Sequence, residues 1–384
     1  MTADAPPAIL FWVQHLLGIG HFARTAALAG RAAARGYAAH IAVGGTPVPG
    51  AQTVGVTLHP LPALHAADET FSGLVNDRGA PAGEADWRAR GDRLATLLET
   101  IRPRLVVLEH YPFGRRAFGR EIAALLDRAG ASGVLKVAVS VRDILVDRKA
   151  ERWAEAADFI ERRVDRVFVH GDPDFIALDD TFPLAARIAA KLHYTGYVDP
   201  LPAEAEPEAP APAEAEILVS SGGGRVGAAL RAAALALGSG PNGEPVRIRA
   251  GGAVPAAEFE ALRSSAGPRV TVERNRPDFR RRLAGCACSV SQAGYNTVVD
   301  ILKSAAPSVL VPFDTAGETE QMRRARRLEA MERAVVLPED ALTPHRLKEA
   351  VAGAQTLPRR SLPVRLDGAE AFVRALPGLI GAPA

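Results

Sequence analysis

Residues 291–325 read SQAGYNTVVDILKSAAPSVLVPFDTAGETEQMRRA and carry the densest chemistry in the chain. A glycine turn opens a helix, a buried strand ends in Pro312-Phe313, and a second polar loop opens another helix. That layout suits a nucleotide-sugar. Gly294 lets the backbone approach a diphosphate, and helix N-terminal N–H groups favour the anion. If Asn296 caps the helix, Asp300 lies one turn along the same face, where a carboxylate accepts from two ribose hydroxyls. A second anion loop is expected at Ser220-Ser221-Gly222-Gly223-Gly224-Arg225, where consecutive N–H groups can form a nest after a strand. A plain flexible turn is the alternative for that loop.

Two further groups suit proton transfer. Gly18 and Gly20 precede His21, which starts a helix whose His21, Arg24 and Thr25 share one face. A helix N-terminus disfavours imidazolium, so His21 is expected to be neutral and able to accept a proton. Glu109-His110 and Arg142-Asp143 each end an apolar strand, where parallel sheets place their ligands. They are candidates for the acceptor side or for steadying His21, with a surface ion pair and turn as the alternative.

The elements that must position these residues follow from alternation of strand and helix. Apolar runs at 8–13, 39–43, 104–110, 134–141 and 166–171 alternate with Ala/Leu/Arg helical stretches, which predicts βαβ units and a parallel sheet. Residues 199–216, DPLPAEAEPEAPAPAEAE, have nothing to bury and read as an acidic extended linker. The alternation restarts at 217. The expectation is therefore two doubly wound α/β domains, 1–198 and 217–384, the second ending in a short apolar helix AEAFVRALPGLI. Ligands would bind at strand carboxyl ends in a cleft between them.

Gly294, Thr297 and Asp300 resemble the Gly-x-x-Thr-x-x-Glu run of glycosyltransferase family 28, with Asp in place of Glu. These are inverting GT-B enzymes that include the N-acetylglucosaminyltransferase of peptidoglycan synthesis. The resemblance implies that Ser221, Gly222, Gly223, Gly224, Gln292 and Gly294 hold the nucleotide together with Asn296, Thr297 and Asp300. Glu318, Glu320 and Gln321 fall where the family reads donor sugar hydroxyls, often with Gln-Gln. The Gly-Ile-Gly-His element is similar to one whose histidine serves GT-B transferases as general base, so His21 and Glu109 are the implied catalytic residues. Gly20, Arg24, His110, Arg142 and Asp143 fall on the acceptor side. The implied activity moves a sugar, UDP-linked, from a nucleotide-sugar to a saccharide, lipid-linked or small-molecule hydroxyl. No cofactor is implied, since the nucleotide-sugar is a co-substrate. The family's tail helix often returns to the first domain. Gly-Ile-Gly-His-Phe-Ala-Arg also resembles hydrolases of nonulosonate biosynthesis, so a nucleotide-sugar hydrolase of the same fold is the rival, followed by a non-enzymatic sensor or scaffold.

Composition sets the outer bounds. The 384 residues suit two domains, and 48% hydrophobic with 23% charged residues suits a soluble protein. Net charge of +2 argues against a dedicated nucleic-acid binder, although Arg115, Arg116 and Arg120 could form a local basic patch. Cys286 and Cys288, two apart, are expected on one face of a strand as buried fillers. Asp172-Pro173-Asp174 resembles the Asp-x-Asp metal motif of GT-A enzymes, but its place in the first domain and Pro173 argue for a turn; no metal is assigned. MTADAPP lacks a basic n-region and no apolar run approaches a membrane span. A cytoplasmic protein is expected, with surface association at a membrane open.

Overall fold

The computed structural model describes residues 5–16, 19–45, 54–67, 73–130, 136–200, 214–221, 227–239, 243–252, 254–274, 278–313 and 319–383. The chain divides into two compact units, Met1–Pro200 with Arg365–Ala384, and Leu201–Val364.

The first unit runs β1 (Ala8–Gln14), α1 (Gly20–Ala34), β2 (Ala38–Gly44), β3 (Val56–Pro60), β4 (Leu64–Ala66), β5 (Leu74–Asn76), α2 (Glu84–Ile101), β6 (Leu105–Glu109), α3 (Gly119–Gly130), β7 (Lys136–Arg142), α4 (Ala150–Arg163), β8 (Arg166–His170) and β9 (Leu192–Tyr194). Seven of these strands form a parallel sheet in the order β3-β2-β1-β6-β7-β8-β9, while β4 and β5 make a separate antiparallel hairpin. Both faces of the sheet are covered, so its strands are continuous apolar runs. Parity sorts them into two cores. Leu10, Trp12, Val106 and Leu108 join one face, and Ile9, Phe11, Leu105 and Val107 join the other, beneath Phe22, Leu28 and Ala32 of α1.

The second unit runs β10 (Glu214–Ser220), α5 (Ala228–Leu237), β11 (Val246–Ala250), α6 (Ala256–Ser264), β12 (Val270–Arg274), α7 (Phe279–Gly285), β13 (Cys286–Ser291), α8 (Tyr295–Ser304), β14 (Ser308–Leu310), α9 (Glu320–Ala330), β15 (Val335–Val336) and α10 (Pro344–Gln355). Its parallel sheet has the order β12-β11-β10-β13-β14-β15. Ile217, Val219, Ile248, Val290 and Val309 pack beneath Leu230 of α5 and Leu347 and Val351 of α10. Thr343 caps α10 by accepting from the Arg346 N–H at 3.2 Å. Toward the sheet edge the packing is ionic: fully buried Arg249 meets Glu273 at 3.0 Å and Asp278 at 2.6 Å.

Three sequence expectations need correction. The tail, α11 (Gly368–Ala375) and α12 (Pro377–Ile380), belongs to the first unit and not to the second domain. Phe372 seats against Phe168 and Phe11, with ring centroids 4.8 and 6.1 Å apart, and Asp172 accepts from Arg365, which gives that acid a structural role. Gly196, at φ +87°, lies under this crossing, where a Cβ would meet the Arg365 carbonyl oxygen at 2.8 Å. Residues 214–216, read as linker, begin β10; residues 201–213 lie outside the described residues. Cys286 and Cys288 are buried and form no disulfide, but they face different neighbours, Cys286 with Leu218 and Leu283 and Cys288 with Ile217 and Val219. The register between β10 and β13 shifts between these two cysteines, which breaks simple alternation.

Candidate active site and donor loops

Strand order reverses at β1/β6 in the first unit and at β10/β13 in the second. Crevices at the carboxyl ends of such strand pairs are where open α/β sheets bind ligands. The candidate residues fall at these two points.

In the first unit, Glu109 continues the parity of Leu105 and Val107, so its side chain lies on the face that α1 covers. His21, second residue of α1, brings Nδ1 to 2.8 Å from Glu109 Oε1. Arg24, one turn on, donates to the same oxygen. Arg24 is buried, where it holds Glu109. The Thr25 hydroxyl donates back to the His21 carbonyl at 2.9 Å, fixing the first turn. With Nδ1 given to Glu109, His21 Nε2 carries the lone pair and makes no hydrogen bond among the described residues. Burial, then the charges of Arg115, Arg24 and Arg142, hold the His21 pKa well below its ordinary value. The neutral base expected from the helix terminus is thus secured mainly by desolvation.

The rest of the acceptor-side group separates. His110, at φ +65°, packs its ring 5.0 Å from that of His21, and its buried Nδ1 has no hydrogen-bond partner. Gly114 is required beside it, since a Cβ there would lie 2.5 Å from the His110 ring. Arg142 ends β7 half-buried, close enough to act on His21. Asp143 is fully buried and accepts from Tyr197 Oη at 2.6 Å and the Ile144 N–H at 2.9 Å, which anchors the chain after β7. Gly20 is the first residue of α1; Gly18 lies outside the described residues.

In the second unit, Gly294 itself is the N-cap of α8, and Asn296 is second in the helix, so Asn296 is not the cap. Among the described residues no side chain caps α8 from its N-cap position. Gly294 has φ −64°, and no described atom lies within 4 Å of where a Cβ would be. Neither strain nor crowding demands glycine, so close approach of an outside molecule is the use it retains. Thr297 and Asn296 are half-buried on this turn, and Gln292 is buried just before it. Asp300 Oδ1 accepts from Arg280 Nε of α7 at 2.7 Å, so it is already steered by one cation. Gln321 Oε1 accepts from the N–H groups of Ala293 (3.1 Å) and Phe313 (3.2 Å), binding the β13 and β14 loops together. Its NH2 is the end that can donate to a sugar. Glu320 is buried against Arg324 at 3.2 Å. Ser221 Oγ accepts from buried Arg231 Nη1 at 2.8 Å. Gly222, Gly223, Gly224 and Glu318 lie outside the described residues.

Sequence reading passed over four groups. Ser140 and His170 join the Glu109 cluster, and Arg231 supports Ser221. Ser291 Oγ, buried at the carboxyl end of β13, has no partner. The signal for Ser140 and His170 was strand parity at the ends of β7 and β8; Arg231, inside an alanine-rich helix, offered none.

Comparisons agree with this geometry. Residues 257–364 match the glycosyltransferase family 28 C-terminal domain. The UDP-N-acetylglucosamine–N-acetylmuramyl-(pentapeptide) pyrophosphoryl-undecaprenol N-acetylglucosamine transferase of Xanthomonas axonopodis pv. citri is 33% identical over 181 residues, 47% of this chain and 40% of that protein. The chain therefore spans less than half the length of that relative. Among solved structures, CalG4, the calicheamicin glycosyltransferase, superposes with a TM-score of 0.60 at 18% identity, covering 98% of this chain and 96% of that one. MurG of Acinetobacter baumannii gives 0.57 at 15% identity, covering 97% and 100%. The chain has the GT-B fold, and its residues 257–364 are similar to the family 28 C-terminal domain. Among the described residues no helix is long and apolar enough to cross a membrane.

Proposed function

We propose that the protein is an inverting glycosyltransferase that moves a sugar from a UDP-linked donor to an acceptor hydroxyl. The observation that carries this reading is His21: neutral, its Nδ1 bound to Glu109, its Nε2 lone pair unused among the described residues. Nε2 takes the proton of the acceptor hydroxyl, and Glu109 stabilises the imidazolium that forms. The acceptor oxygen bonds to the anomeric carbon from the side opposite the diphosphate, whose C–O bond breaks with its electron pair. The N-terminus of α8 and the 222–224 loop are the proposed stabilisers of the leaving diphosphate, with no resident cofactor. Asp300 serves the ribose and Gln321 the sugar.

The name of the Xanthomonas relative supplies the first donor and acceptor to try, UDP-N-acetylglucosamine and a pyrophosphoryl-undecaprenol-linked saccharide. Such an acceptor would bring the protein to a membrane surface peripherally. The decisive experiment measures UDP release with donor alone and with acceptor added, and the anomeric configuration of the product. Release is expected to rise at least about tenfold with acceptor, which one interaction of about 1.4 kcal/mol supplies. Rapid release with donor alone, indifferent to any acceptor and abolished by His21→Ala, would make the protein a hydrolase instead.

A further inference from the structure

Behind the His21–Glu109 pair, three residues at the carboxyl ends of successive strands form a single file. Ser140 pairs with Glu109 in the β6/β7 register and shares its face, following Ala138. His170 follows Phe168 onto that face, and Thr195 follows His193, whose ring packs 5.5 Å from Phe168. Ser140 Oγ lies 2.6 Å from Glu109 Oε2 and 2.9 Å from His170 Nε2, and His170 Nδ1 lies 2.9 Å from Thr195 Oγ1. Ser140, His170 and Thr195 are all at least 99% buried.

Counting protons gives this file a direction. Burial, then Arg24, push His170 down to about 3, so it is neutral and has one N–H. A carboxylate at Glu109 needs the Ser140 hydroxyl proton on Oε2, because Oε1 already accepts from His21 and Arg24. Ser140 Oγ must then accept from His170, which places the His170 proton on Nε2 and leaves Nδ1 as an acceptor beside the Thr195 hydroxyl, which also lies 2.9 Å from the Gly196 carbonyl and 3.3 Å from that of Val169. The opposite order would point the Ser140 proton at His170 and set two lone pairs against each other at 2.6 Å.

We propose that Ser140 and His170 are positioning residues for the His21–Glu109 pair, passing a one-way line of hydrogen bonds from His170 through Ser140 to Glu109 Oε2. The line stops the carboxylate from turning, so Oε1 stays on His21 Nδ1 and Nε2 stays the accepting nitrogen. The charged and titratable groups around Glu109 are His21 and Arg24 of α1, Arg142 of β7, His170 of β8, and His110 and Arg115 after β6; around His170 they are Arg24, Glu109 and His193. The catalytic consequence rests on the transferase reading. The tautomers do not.

The first arm is long-range ¹⁵N–¹H NMR of the full-length labelled protein at neutral pH, with signals assigned through His21→Gln and His170→Gln. His170 is expected as the Nε2–H tautomer and His21 as the Nδ1–H tautomer; a His170 Nδ1–H tautomer overturns the line whatever the protein catalyses. The second arm measures turnover. Ser140→Ala removes the donor to Glu109 Oε2 and lets the carboxylate turn, so kcat should fall about 10- to 100-fold with donor KM unchanged. With one donor fewer on the carboxylate beside it, His21 should become easier to protonate, and the acid limb of the kcat profile should move to higher pH. Ser140→Thr, which keeps the hydroxyl, should restore both. Parental kcat and acid limb in a folded Ser140→Ala overturn the proposal, as does failure of Ser140→Thr to restore a fallen kcat. Absence of turnover in the parental protein counts against the transferase reading alone, since the tautomers are read without it.

Discussion

The two faces of the first unit's sheet each bury a glutamate, and they use it in opposite ways. On the face under α1, Glu109 binds His21, Arg24 and Ser140, and the network ends at His21 Nε2, which no described protein group occupies. On the other face, Glu121 accepts from Arg90 Nε at 2.6 Å and Trp12 Nε1 at 2.9 Å, while Arg90 also reaches Gln14 Oε1 at 3.0 Å and the Pro62 carbonyl at 2.7 Å. Gln14 Nε2 closes the circuit on the carbonyls of His15 and Leu64. That second network spends every polar group internally and holds the end of β1, from which the His21 loop departs. A closed network positions; a network with one unused lone pair can react. The difference lies in the last acceptor, since burial and charge are alike.

Removing the open end should have the largest effect. His21→Ala is expected to lower turnover by about 10²- to 10⁴-fold, the usual contribution of a general base, with UDP affinity unchanged in calorimetry. Parental turnover with normal donor binding would make the open network as structural as the closed one, and send the search for a base to His110. The closed network should answer in stability. Glu121→Ala strands the Arg90 charge in the core and should cost the first unit about 3–5 kcal/mol in denaturant unfolding. A loss below about 1 kcal/mol would show that water reaches Arg90 and that the network is not closed.

Strand parity made most of this legible beforehand, and the limits have physical causes. Continuous apolar runs located all the central strands, because a sheet covered on both faces needs them. The edge strands β3 and β9 were missed, since half-buried residues such as Thr57, His59 and His193 carry no such run. Glu109 and His21 were legible as chemistry at strand ends. Arg24 and Asp143 were assigned to the acceptor and proved buried, because polar residues at a strand's end face either the crevice or the protein, and only packing decides which. Arg90, one of several charged residues in α2, gave no signal until Glu121 stood opposite it 31 residues later.

In the second unit the acid is steered from outside the core. Asp300 and Arg280 are both partly exposed, with side chains at 17% and 10% of full accessibility, so their ion pair is worth little to stability. Asp300→Ala should leave unfolding nearly unchanged but weaken UDP binding by about 1–3 kcal/mol, the worth of hydrogen bonds to a charged group. Unchanged affinity for UDP would remove Asp300 from the donor site and leave it as the Arg280 partner alone.

The smallest effect tests how the open network keeps its base neutral. After burial, Arg115 is the strongest influence lowering the His21 pKa, followed by Arg24 and Arg142. Neutral imidazole is the active form, and it predominates above the pKa. A lowered pKa therefore keeps the base competent well below pH 6.5, and the acid limb of kcat/KM should lie in that region. Arg115→Gln removes one positive charge while keeping a donor for the Gln14 carbonyl, which Arg115 Nε now reaches at 2.6 Å. His21 should become easier to protonate, and the acid limb should move toward 6.5 by about one pH unit or less. Arg142→Gln should move it in the same direction by a smaller amount. An acid limb that stays put in both variants would mean that desolvation alone sets His21, and the arginines would then be free to serve a negatively charged acceptor. A limb that moves down would contradict the sign of the charge effect, and with it the assignment of His21 as the group that titrates.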